Sequence, residues 1–277
     1  MSKVTDRDYL GLTAMLRARE SKMLDRDRMD RMLNASSYGD AAKLLTDCGY
    51  EDLSSMNANE VDAALNARRA EIYEEIGRMA PEPELVDVFR LKYDYHNAKV
   101  ALKAAAMGTD GTHLYNHAGC TSVETLEEAL AEDHFSALPQ ALAKALQEAR
   151  DTLGKTGNPQ MADFVLDRAY FAQLQNMAEK AGGAYLKGYV RLLIDAANLR
   201  AAVRTVRMDH GVDFLLQALV PGGTVSVDTV AQAAMSGDGL TALFNATVLQ
   251  NAAAMGVEAM KGGSMTKFEL ACDNAVT

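Results

Sequence analysis

Tryptophan is absent from the 277-residue chain, proline occurs only five times, and runs of valine, isoleucine and threonine are few. That shortage disfavours sheets, while 48% hydrophobic residues, rich in alanine, favours packed helices. Positive charge is also short: 28 Lys and Arg stand against 38 Asp and Glu, a net charge of −10. A nucleic-acid binder would need a basic stripe, and none is present beyond pairs such as Arg68 and Arg69. The continuous apolar run Phe214 to Val220 is broken at Gln217 and ended by Pro221, so the sequence predicts no membrane span. The opening MSKVTDRDYL has no apolar core for a secretory signal. Cys48, Cys120 and Cys272 lack a paired spacing, as suits reduced thiols in a cytosol.

What the chain does have is repetition. The stretch LVDVFRLKYDYHNAKVALK (Leu85 to Lys103) returns as YLKGYVRLLIDAANLRAAVRTVR (Tyr185 to Arg207). Arg90 then matches Arg191, Asp94 matches Asp195, Asn97 matches Asn198, Lys99 matches Arg200 and Lys103 matches Arg204. Leu91, Tyr95, Ala98 and Leu102 share one helical stripe, as do Leu192, Ala196, Leu199 and Val203, so both stretches read as core-facing helices. The acid lies at one edge of that stripe and the basic residue at the other, where each could reach a neighbouring helix. Asp94, Asn97, Lys99, Asp195, Asn198 and Arg200 are therefore the candidate structural and interface residues of one unit used repeatedly.

Two weaker elements repeat as well. Ser122, Val123, Glu124 and Thr125 match Ser226, Val227, Asp228 and Thr229, each set preceded by a Gly-containing turn; serine fits a helix N-cap and the acid its first turn. Asp163-x-x-x-Asp167 matches Glu269-x-x-x-Asp273, and Asp62-x-x-x-Asn66 fits one unit earlier. The predicted domains are residues 1–108, 109–210 and 211–277, the third stopping short of a D-x-x-N helix of its own. Leu240, Phe244, Val248 and Phe268 are then expected to lie exposed, and the region after Gly211 to be mobile or covered by another chain.

Elsewhere, Tyr9 to Leu33 reads as one amphipathic helix dense in alternating charge. A short helix from Asp40 to Thr46, closed by Gly49, and one capped by Asn57 or Asn59 and running to Met79 follow. Pro81 and Pro83 end that helix, and the first signature helix should stop near Gly108. Fifteen methionines are core filler first, although their adaptability also suits surfaces meeting several partners.

Chemistry-bearing motifs are thin. Ala149 to Thr156 is a relaxed Walker A pattern ending Gly154-Lys155-Thr156, yet a helix precedes it where a strand is needed, Gly154 reads as a helix C-cap, and Gly157 and Pro159 stop a helix from opening at Thr156. His113, His117 and Cys120, with Asp110 nearby, carry zinc-compatible side chains, but Gly108, Gly111 and Gly119 argue for a loop. His96 and His210 read as satisfied boundary residues. No catalytic, cofactor-binding or metal-ligating set is nominated.

Taken together, KYDYHNAKVALKA, YVRLLIDAANLRAAVRTVR, PGGTVSVDTV and FELACDN, with the opening Arg17 and Arg19 helix and LLTDCGY, resemble the C-subunit family of V/A-type rotary ATPases, equivalent to the d subunit of the vacuolar enzyme. The resemblance covers essentially the whole chain. It implies an all-α fold of three similar helical domains in a funnel-like, pseudo-threefold arrangement, here with the third one incomplete. It also implies a non-catalytic, cytoplasmic, peripheral component without cofactors that seats the central stalk on the membrane proteolipid ring, its partners being the stalk subunits and that ring. Two rivals stand beside it: a helical-repeat adaptor with an unrelated partner, and a helical metal-dependent hydrolase built on His113 and His117.

Overall fold

Two features of the sequence, helix-capping side chains and left-handed glycines, set the helix limits in the computed structural model, which describes residues 4–277. Among them there are fourteen α-helices and no strand. The chain divides after Ala143 into two compact units.

In the first unit, α1 (Leu10–Glu20) and α2 (Arg26–Leu33) replace the single helix expected over residues 9–33. The break has a local cause: Asp25 turns extended and its carboxylate takes the Arg28 amide, capping a new helix. Helix α3 (Tyr38–Lys43) is capped by Ser37 and starts two residues before the expected Asp40. A short 3-10 turn at Thr46–Cys48 then ends on Gly49, left-handed as a C-cap requires. Asn57 and Glu60 cap α4 (Ala58–Met79) reciprocally. Helix α5 (Glu84–Met107) begins after Pro83 and stops at left-handed Gly108. Ser122 caps α6 (Val123–Ala131). Leu12, Ala80 and Val86 form one small core, with Tyr73 and Ile76 of α4 against it. Ala101, Tyr115 and Val123 form another, which seats α6 on α5.

Helix α7 (Gln140–Thr156) runs across the division. Gly154 lies inside it rather than capping it; the left-handed residue is Gly157, and Pro159 opens α8 (Pro159–Ala181) at its first position, where a missing N–H costs nothing. In the second unit, α9 (Ala184–Arg207) is the central element, contacted by α8, α10 (Val212–Ala218), α11 (Val227–Met235), α13 (Gln250–Met260) and α14 (Met265–Val276), while α12 (Gly239–Leu243) packs on α11 and α13.

The expected exposure of the last region is overturned here. Leu240, Phe244 and Phe268 are fully buried, and of the four only Val248 is exposed. They lie in one core with Ala196, Leu199, Ala202 and Val203: α9 itself supplies the apolar wall for the helices that follow it. Contact is close. A Cβ on Gly256 of α13 would sit 2.8 Å from Val203 Cγ2 and 3.1 Å from Phe268 Cε2.

Candidate functional site

Asp94 and Asn97 are three residues apart on α5 and therefore share a face. Both are buried and both reach the loop between α5 and α6, which for Asp94 takes the place of the neighbouring helix expected from the sequence. The Asn97 amide makes a closed pair with the Asn116 backbone: its Nδ2 donates to the carbonyl at 2.8 Å and its Oδ1 accepts from the N–H at 2.9 Å. A side-chain amide used this way replaces a neighbouring peptide, and satisfies loop groups that burial would otherwise leave unpaired. Asn116 continues the network, accepting from Ala118 N–H and donating to Asn66 of α4. Asp94 Oδ1 accepts the Thr121 N–H at 2.9 Å, and the Arg90 guanidinium donates to the carbonyls of Ala118 and Gly119.

The same clasp is built again in the second unit. Asn198 Nδ2 donates to Val220 O and Asn198 Oδ1 accepts from Val220 N–H, both at 2.8 Å. Asp195 accepts the Thr224 N–H at 3.0 Å, the Val225 N–H at 3.3 Å and the Thr224 hydroxyl. Both loops press glycine onto the aspartate: a Cβ would stand 2.4 Å from Asp94 Oδ1 at Gly119 and 2.1 Å from Asp195 Oδ1 at Gly223. Glycine is needed there for space, since the backbone itself is the surface that meets the carboxylate.

The two clasps differ in their braces. Arg191, the counterpart of Arg90, is exposed. In its place α8 holds the second loop through Gln175, whose Nε2 donates to Pro221 O at 2.9 Å, and the end of α10 through Arg168, whose Nη1 donates to Gln217 O at 2.8 Å. Neither residue is marked by the repeat, because the repeat holds a different brace at that point.

Of the basic candidates, Arg200 reaches a neighbouring helix as expected. It bridges Glu269 and Asp273 of α14, its Nε 2.9 Å from Glu269 Oε2, and Arg204 pairs with the other Glu269 oxygen. An i, i+4 basic pair on α9 thus meets an i, i+4 acidic pair on α14, and the charges fix the register of one helix on the other. Lys99 is half-buried on α5.

Burial raises the Asp94 carboxyl to about 6, against the opposing pull of the Thr121 and Cys120 amides and of Arg90. Burial also pushes the Cys120 thiol upward, and the Cys272 thiol to about 11, so both hold their protons at neutral pH.

The remaining motifs do not gather. Residues 149–156 are continuous α7, which leaves Lys155 and Thr156 at a helix C-terminus, the end whose dipole repels phosphate. His113 is in a 3-10 turn and His117 in the loop beyond it; among the described residues no three His, Cys, Asp or Glu are grouped as metal ligands would be. His96 meets Leu114 O at 2.9 Å, and His210 stacks on Phe214 with ring centres 4.3 Å apart. No helix among the described residues is long and apolar enough to cross a membrane.

Comparison with known proteins places this architecture. Residues 12–277 match the family model described as ATP synthase (C/AC39) subunit. The C subunit of the V-type sodium ATPase of Enterococcus hirae is 25% identical over 80% of this chain and 68% of its own length. The C subunit of the A-type ATP synthase of Methanocaldococcus jannaschii is 24% identical over 97% of this chain and 73% of its own. For the C subunit of the V-type ATP synthase of Thermus thermophilus the figures are 24%, 71% and 63%. The chain thus spans about two thirds of the length of these relatives. With a family match over nearly all its residues, it belongs to the ATP synthase C/AC39 subunit family, the C subunits of V/A-type ATPases.

Proposed function

We propose that this chain is a non-catalytic coupling subunit of a V/A-type rotary ATPase, peripheral at the cytoplasmic face of the membrane, where it seats the central stalk on the proteolipid ring. The observation that carries the reading is the repeated clasp. Twice, a long helix uses an Asp and an Asn to bind a later loop to itself by several buried hydrogen bonds, the loop directly after α5 and the loop beyond α10 for α9. A part that transmits torque needs stiff connections between its helices, and this arrangement ties each of the two loops to a long helix by buried hydrogen bonds. The polar side chains of the clasps are engaged with backbone, which suits mechanical work better than bond-making.

Within this reading the chain is three helical repeats, with divisions near residues 108 and 210, and the repeats are the parts that surround the stalk. A pull-down from the native membrane fraction tests it. Stalk and proteolipid subunits should co-purify; capture of one unrelated protein instead would favour an adaptor. Vesicles carrying the rotary complex with the chain removed should keep hydrolysing ATP while losing ion transport. Loss of both together would count against a purely coupling role.

A further inference from the structure

The two signature helices run the same line of residues under different cover. Seven residues before Asp94 and Asn97 stand Asp87 and Arg90, and seven before Asp195 and Asn198 stand Gly188 and Arg191. Each pair lies about two turns back along the same face. On α5 the following loop covers the line throughout. The Cys120 thiol bonds Asp87 at 3.3 Å, and Arg90 donates to Ala118 O at 3.1 Å and Gly119 O at 2.5 Å. On α9 that cover stops at Asp195. The second loop is drawn towards α8 instead, where Pro221 O takes Gln175 and Gly222 lies against the same side chain.

Three residues on one face of α9 are left bare as a result. Tyr185 is 83% exposed. Arg191 is exposed and, among the described residues, holds no hydrogen bond or ion pair. Between them Gly188 is exposed inside the helix, and a Cβ on it would meet nothing within 4 Å. Glycine at an open position weakens a helix and relieves no contact within the chain. What it does offer is close approach to the α9 backbone from outside. Charge says what approaches. Between Ala184 and Ile194 the charged residues are Lys187, already paired with Glu179, and Arg191, with no acid among them. In a chain of net charge −10, Arg191 is an uncompensated cation beside a large aromatic ring. Arginine and tyrosine are among the side chains that most often anchor interfaces.

We infer that this face of α9 is a docking surface for an acidic segment of another protein chain. Arg191 takes a carboxylate of the partner, much as Arg90 takes oxygens from its own loop. The partner's backbone lies over Gly188, and the Tyr185 ring closes one edge. The surface rests on the coupling role only for where its partner is sought, namely the rotary complex.

Photo-crosslinking in the native membrane fraction tests it. The full chain carries benzoylphenylalanine in place of Tyr185, and a control carries it in place of exposed Val248. Position 185 should join a protein segment with Asp and Glu in excess, a segment that position 248 does not reach. Arg191→Glu should weaken rebinding to membranes stripped of the chain by about tenfold or more, the scale of a lost charge-assisted hydrogen bond. Gly188→Leu should weaken rebinding similarly, yet raise the melting temperature of the isolated chain by about 1–3 °C. A glycine with a structural role would not give that split. A crosslink to lipid alone, to this chain itself or to nothing overturns the proposal, and so does rebinding unchanged in both variants. A crosslink to an acidic segment of a protein outside the rotary complex keeps the surface and overturns the coupling role. Co-purification with stalk and ring subunits beside an unreactive position 185 does the reverse.

Discussion

Asn198 and Val220 pair as two peptides would, donor to acceptor in both directions at 2.8 Å, although one partner is a side chain on a helix and the other is loop backbone.

Replacing Asn198 by alanine therefore strands both polar groups of a buried peptide. At about 1–3 kcal/mol for each unsatisfied group, Asn198→Ala is expected to destabilise the second unit by about 2–6 kcal/mol. Urea unfolding followed by circular dichroism measures it, and a loss under 1 kcal/mol would mean that water replaces the amide.

Gly223→Ala should be among the more damaging single-methyl additions in the chain, because the new Cβ overlaps Asp195 Oδ1. Overpacking of this kind costs about 1–3 kcal/mol. The double variant Gly223→Ala/Asp195→Ala should lose less than the sum of its parts, by at least about 0.5 kcal/mol. Simple additivity in thermal unfolding would show that the two residues do not press on each other.

Phe268→Ala is expected to cost about 3–5 kcal/mol, since Phe268 is fully buried in the core that α9 shares with α11 to α14. A cost of a surface substitution, below about 0.5 kcal/mol, would contradict the placement of α14 against α9.

The α9–α14 charge pair should be modest and salt-sensitive. Both Arg200 and Glu269 are only partly exposed, at 21% and 27%, so a double-mutant cycle with Arg200→Ala and Glu269→Ala should give about 1 kcal/mol in low salt and less in 1 M salt. A coupling indistinguishable from zero in low salt would leave the register of α14 to apolar packing alone.

Much of this is legible in the sequence. Pro83 and Gly108 announce both ends of α5, Ser122 and Ser226 cap the helices they precede, and the Asp94/Asn97 and Asp195/Asn198 pairs stand out through repetition. Three things are hidden there, each for a physical reason. Periodicity says which residues share a face, but not whether a helix or a loop lies opposite, so the aspartates read as aimed at a helix. The N-terminal stretch carries one continuous charge pattern, and a single capping residue, Asp25, is enough to divide it. The burial of Leu240, Phe244 and Phe268 depends on α9 serving the helices after it as well as α8 before it, and a linear order of elements cannot show a helix used on two sides.

The double pairing at Asn198, with Asp195 just behind it, has a consequence for the slow motions of the chain. Local opening needs the groups involved to part from their partners, and here the amides of Val220, Thr224 and Val225 can part only if α9 itself gives way or its side chains swing out of a filled core. A connecting segment of this kind belongs to the same cooperative unit as the helix that holds it. Its amides should exchange with solvent on the timescale of the α9 interior, orders of magnitude more slowly than those around Lys261 at the exposed turn between α13 and α14.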